Sequence, residues 1–180
     1  MQPPIITHTG PVFRVESIET RDRLGRAVRR DVVRHPGAVT VIPVLPDGRL
    51  VVIRNHRVAV GRALVEFCAG KLEPGPDGSF GGEDPRGAAL RELEEECGYR
   101  ARSIEPLGMF YTSPGFADER MFVFLATDLE PVEQRLEPGE EIAVEVVAET
   151  EFRRWIAEGI VVDGKTLGAY LLYDTRRRGA

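Results

Sequence analysis

The stretch 84–98, DPRGAALRELEEECG, constrains this chain more than any other. Asp84 is a strong N-cap, Pro85 suits the first helical position and Gly98 suits the residue just past the end, so 84–97 is predicted as a helix. Leu90, Leu93 and Cys97 fall three and four apart and give it one narrow apolar face. Glu92, Glu95 and Glu96, spaced i, i+3, i+4, point together on roughly the opposite side. Three like charges on one face repel and cost helix stability unless a cation sits among them. Such oxygen donors suit Mg²⁺ or Mn²⁺, with a phosphate substrate supplying the remaining ligands. The plain alternative is an acidic, solvated face, the common fate of a block such as ELEEE.

With 180 residues, 42% hydrophobic and 29% charged, the chain is expected to form one globular domain around one core. A net charge of −5 argues against general binding to nucleic acid or an anionic membrane, so an acidic substrate has to be met locally. Nothing at the start has the form of a signal peptide, and no apolar run approaches the ~18 residues of a membrane span. Cys68 and Cys97 lack metal-ligand spacing and read as buried free thiols, which fits a cytoplasmic protein.

Along the chain, 11–34 reads as two strands around an Asp/Gly turn, an N-terminal β arm (1–34) preceding the main body (35–180). Residues 38–45 and 49–54 flank Pro46-Asp47-Gly48 and predict a hairpin of apolar strands. Further strands are expected at 63–68, 104–112, 120–127 and 142–148. Helices are expected at 150–158, stopped by Gly159, and at about 165–176, followed by a frayed, solvated tail of Arg176, Arg177 and Arg178. Strands on both sides of one central helix, with two helices at the end, predict an α/β domain whose mixed sheet is packed between helices.

The run Arg91-Glu92-Leu93-x-Glu95-Glu96-x-Gly98-Tyr99, with Glu83 eight residues before Arg91, resembles the signature helix of the Nudix hydrolases. The resemblance implies a Nudix fold. One departure is visible: position 77, where the leading glycine of the motif is usual, is Asp77. Gly70, in Ala69-Gly70-Lys71-Leu72-Glu73-Pro74-Gly75, is the better candidate, and about seven residues, 76–82, then look inserted as a surface turn before Glu83.

Within that family, His35-Pro36-Gly37, Arg54-Asn55-His56-Arg57, Glu66-Phe67-Cys68-Ala69-Gly70-Lys71 and Ser113-Pro114-Gly115-Phe116 are similar to ADP-ribose pyrophosphatases. Pro114, sixteen residues beyond Gly98, stands in the register that marks that branch. The resemblance implies Mg²⁺ held by Glu92, Glu95, Glu96 and the Ala69 carbonyl, and Arg91 orienting Glu83 or Glu95. It implies a general base or further metal ligand from the loop 136–142, with Glu140 placed ahead of Glu141 and Glu137. Arg57 is the candidate for the diphosphate, since a guanidinium matches phosphate oxygens in a fork. Glu66 either accepts hydrogen bonds from a ribose or an adenine amino group, or only orders a neighbouring loop. Phe13 either stacks on the base or belongs to a core. His35 and His56 read as structural or surface groups. The resemblance further implies a homodimer in which the arm crosses to the partner and Glu119 reaches the partner's substrate.

The function implied is Mg²⁺-dependent hydrolysis of ADP-ribose to AMP and ribose 5-phosphate. Another nucleoside diphosphate sugar, UDP-glucose or GDP-mannose, is the runner-up substrate. A non-hydrolytic nucleotide sensor is the competing class, against which so much clustered charge argues.

Overall fold

The computed structural model describes residues 3–75 and 81–179, so most of the expected surface turn at 76–82 lies outside the described residues. The base of that insert is pinned. The Glu73 N–H donates to Glu83 Oε2 (2.9 Å), and the Glu83 N–H donates to the Glu73 carbonyl (3.1 Å).

The arm has three strands, one more than expected: β1 (Ile5–Thr9), β2 (Arg14–Arg21) and β3 (Ala27–Arg34), antiparallel in that order. All five residues of β1 are exposed, so it carries no alternation of burial for a sequence pattern to reveal. Asp22 closes the β2–β3 turn by accepting from the N–H groups of Leu24 (2.8 Å) and Arg26 (3.0 Å). The arm meets the body where the Val33 N–H donates to the Phe116 carbonyl (2.8 Å) and the Arg34 guanidinium donates to Asp118 (2.9 Å).

In the body, β4 (Ala38–Pro43) and β5 (Leu50–Arg57) follow one another through a tight turn, yet they are not the partners of a hairpin. The link between them is an isolated bridge, Val44 to Leu50, and a hydrogen bond from the Leu45 N–H to the Arg49 carbonyl (2.9 Å). β4 runs parallel to β9 (Arg120–Pro131) and antiparallel to β7 (Ala69–Lys71), in a mixed sheet ordered β7-β4-β9-β8, where β8 is Tyr99–Tyr111. β5 pairs with β6 (Arg62–Glu66) and β10 (Ile142–Val147) in a second, antiparallel sheet. The reason is burial on both faces. Val39, Val41, Val51 and Ile53 enter one core with the helix α1 (Pro85–Cys97), whereas Ile42, Leu50 and Val52 enter a second with α2 (Glu149–Ala157) and α3 (Gly164–Gly179). Strands covered on both sides read as continuous apolar runs, and such runs do not reveal their partners. The helices thus enclose strands from two sheets, where one sheet was expected.

α1 begins and ends as the sequence predicts. Asp84 accepts from the Gly87 N–H (3.2 Å), and Gly98 takes the left-handed conformation (φ 66°) with its N–H returned to the Glu94 carbonyl. Cys68 and Cys97 are free and buried in the core beneath α1. At the C-terminus the basic tail is not merely solvated: α3 continues to Gly179, and Arg177 pairs with Glu149 and donates to the Tyr173 hydroxyl (3.0 Å). Among the described residues, no helix is long and apolar enough to cross a membrane.

Candidate active site

The acidic side of α1 does not face solvent. Glu92 and Glu96 are 8% and 3% exposed, turned towards β7, which brings main chain rather than side chains against them. A Cβ on Gly70 would lie 1.8 Å from Glu92 Oε1, so any side chain there would push the Glu92 carboxylate aside. One residue away, the Ala69 N–H donates to Glu96 Oε2 (2.8 Å).

Arg91 ties the acids together. Its guanidinium donates to Glu92 Oε1 (2.6 Å), Glu95 Oε2 (3.0 Å), both oxygens of Glu83 (3.3 and 3.2 Å) and the Lys71 carbonyl (3.4 Å). Among the described residues no cation pairs directly with Glu96, and Arg57 acts on it only from a distance. Burial pushes its carboxyl up to about 8, against the Ala69 N–H and with further lift from Glu92 and Glu140. Burial also raises Glu92, with Arg91 opposing. A buried carboxylate without a counter-charge holds a proton or waits for a cation. Among the described residues, no three Asp, Glu, His or Cys side chains converge on one point as a ready metal cage. Arg91 draws Glu92 and Glu95 aside.

A cleft of about 370 Å³ opens beside this cluster, lined by Arg57, Ala69, Gly70, Arg91, Glu92, Glu95, Glu96 and Glu140. Eight of the residues singled out from the sequence therefore meet in one place. Glu137, the third candidate for the base, joins them, and Val12, Lys71 and Glu73 complete the wall. Glu140 and Glu137 are linked, the Glu137 N–H donating to Glu140 Oε2 (2.8 Å), whereas Glu141 does not line this cleft.

Arg57, at the end of β5, also borders a smaller neighbouring cleft of about 250 Å³ with His35, Glu119, Met121 and Lys165. A third, of about 420 Å³, continues past Glu119, Met121 and Lys165 to Ser113, Phe110 and Gly168. The three share residues and form one groove leading from the acids to the start of α3.

Three expectations shift. Glu66 has no exposed surface with which to meet a ribose or a base. Its Oε1 accepts from Arg57 Nε (2.9 Å), and its Oε2 from Arg57 Nη2 (2.6 Å) and Lys165. Pro114 is exposed and lines none of these clefts, while its neighbour Ser113 does. Phe13 lies off the clefts in this chain, 40% exposed, its ring 6.0 Å from that of His8. Lys165 is the main residue that sequence reasoning missed. Nothing local marks it, because its partner Glu66 lies 99 residues earlier.

A NUDIX domain model matches residues 34–164. An ADP-ribose pyrophosphatase of Bacillus subtilis (strain 168) is 42% identical over 154 residues, 84% of this chain and 78% of that protein. A methanol dehydrogenase activator of Bacillus methanolicus is 37% identical over 161 residues, 88% of this chain and 83% of that one. The crystal structure of an ADP compounds hydrolase, 24% identical, superposes with a TM-score of 0.77 over 99% of this chain and 96% of its own, a likeness of fold. With the signature helix in place and most of its length matched by the family model, this chain belongs to the NUDIX family.

Proposed function

We propose that this protein hydrolyses the pyrophosphate bond of ADP-ribose, giving AMP and ribose 5-phosphate, with Mg²⁺ and with Mn²⁺ as a substitute. The observation that carries the reading is one cleft in which a buried carboxylate without a side-chain cation, Glu96, faces the same space as a guanidinium held in place, Arg57. The Bacillus subtilis relative bears the name of that activity.

The residues fit a hard divalent cation. Glu92, Glu95, Glu96, Glu140 and the Ala69 carbonyl are oxygen donors only, and the bare Gly70 leaves the main chain beside them. Bound there, the metal would lower the pKa of water and neutralise charge on the diphosphate. Arg57 binds phosphate oxygens by charge-assisted hydrogen bonds and holds the anhydride in line. Glu140 accepts the proton of the attacking water. Arg91 acts through the carboxylates, keeping Glu92 and Glu95 in register with Glu83.

Proline at 114 restricts the turn that carries Ser113 into the third cleft. In the homodimer we propose, the arm of 1–34 crosses to the second subunit, Glu119 reaches the partner's substrate, and Phe13 on the arm stacks on the base. Two buried free thiols suit a reducing compartment, and we place the protein in the cytoplasm.

Turnover of ADP-ribose, UDP-glucose, GDP-mannose and a deoxynucleoside triphosphate with Mg²⁺ tests the reading. ADP-ribose is expected to lead in kcat/KM by roughly ten- to two-hundredfold, the range that pocket shape supplies. A higher value for a competitor overturns the substrate. Release of no nucleotide product from any of them overturns hydrolysis in favour of a sensor.

A further inference from the structure

Asp163-Gly164-Lys165-Thr166 opens α3, far along the chain from the acids of α1. Asp163 caps the helix, its Oδ2 accepting from the Thr166 N–H (2.9 Å) and the Thr166 hydroxyl (2.6 Å). Thr166, itself fully buried, accepts in turn from the Phe67 N–H (3.1 Å), which ties the helix start to the residue after Glu66. From this fixed turn, Lys165 reaches back. Its Nζ lies 3.0 Å from Asp163 Oδ2 and binds Glu66 Oε2, the oxygen that Arg57 Nη2 also uses.

The knot holds two carboxylates, Glu66 and Asp163, and two cations, Arg57 and Lys165. It is neutral as a unit and buried at its centre, since the Glu66 side chain is 0% exposed and that of Lys165 only 14%. Arg57 is its outward end, with 38% of its side chain exposed towards the cleft. Were Lys165 uncharged, Arg57 alone would have to neutralise a fully buried carboxylate. The guanidinium would then be drawn inward, and a phosphate would compete with Glu66 for the same donors.

We propose that Lys165 is a positioning residue for Arg57: by sharing Glu66, it leaves the guanidinium aimed at the cleft and free to take a substrate phosphate. This rests on the proposed phosphate-binding role of Arg57. It adds that substrate affinity is set from the first turn of α3, through a buried carboxylate that never meets the substrate.

A double-mutant cycle of Lys165→Met and Arg57→Ala tests it, on whichever nucleotide sugar the wild-type enzyme hydrolyses fastest. An absence of ADP-ribose turnover therefore overturns that substrate without touching this test. Lys165→Met is expected to raise KM on the order of tenfold, most of the effect lying in KM rather than kcat, and to add less than about twofold once Arg57 is alanine. Lys165→Arg should restore KM to within about threefold of wild type. The same cycle read as calorimetric affinity for ADP-ribose needs no turnover. If Lys165→Met does not fold, Lys165→Gln, which keeps a hydrogen bond without the charge, carries the cycle. Equal losses in both backgrounds, or an unchanged KM, overturn the proposal.

Discussion

Glu66 and Glu96 are both glutamates sunk almost out of solvent, 0% and 3% exposed, on elements that border one groove, yet the protein treats them in opposite ways. Glu66 is gripped by Arg57 and Lys165, so its charge is cancelled from within the chain. Glu96 has one main-chain N–H, two acidic neighbours, only the distant pull of Arg57, and a carboxyl pushed up to about 8. Burial alone therefore does not mark a functional carboxylate. The informative quantity is burial minus compensation: the compensated group builds the scaffold, and the uncompensated one is left for chemistry that arrives from outside.

Exchanging each acid for its amide breaks this contrast most directly. Glu66→Gln leaves two cations around a neutral group, and loss of one member of a buried pair costs about 3–5 kcal/mol, to be read by denaturant unfolding. Glu96→Gln is expected to fold at least as firmly as wild type in EDTA, because the amide is neutral at every pH whereas the buried carboxyl has to keep a proton to stay neutral. Its kcat should nonetheless fall by roughly a hundredfold or more. A Glu96→Gln enzyme with near wild-type turnover at saturating Mg²⁺ would end the metal assignment. An equally stable Glu66→Gln protein would show that its cations serve something other than the fold.

A smaller effect sharpens the same contrast through pH. In EDTA the folded state holds the Glu96 proton up to about 8, whereas the unfolded chain releases it near the ordinary glutamate value. The folded state binds more protons between these limits, so this contribution is complete below about 4.3 and is lost as pH rises towards 8. A decline of about 1.4 kcal/mol for each pH unit across that window, several kcal/mol in all, is expected for metal-free protein. It should be absent in Glu96→Gln, and the two unfolding profiles against pH measure it. Parallel profiles would show that Glu96 carries no strain.

The signature helix was legible because its signals are local. Asp84, Pro85 and Gly98 act on the backbone within a turn of themselves, and the spacing of Glu92, Glu95 and Glu96 is a property of any α-helix. The gathering of Arg57, Gly70 and Glu140 around those acids was reachable only through the family likeness, since nothing in their own neighbourhoods points to α1. The strands and helices expected elsewhere in the body are present too, but which strands pair does not follow from their positions in the chain. Two apolar runs joined by Pro46-Asp47-Gly48 predicted a hairpin, but each run is buried on both faces and sought partners elsewhere.

The sequence by itself determined the helix, its caps, its acidic set and the family to which the chain belongs. Only the tertiary structure decided that β4 and β5 part into two sheets, that β1 exists, and that the tail arginine Arg177 closes on Glu149. It also decided that Glu66 is a buried anchor, because the charge that neutralises it is delivered from the start of α3, 99 residues away. Local pattern sets which groups a segment offers. Which of them end up compensated depends on what the fold brings to face them across space.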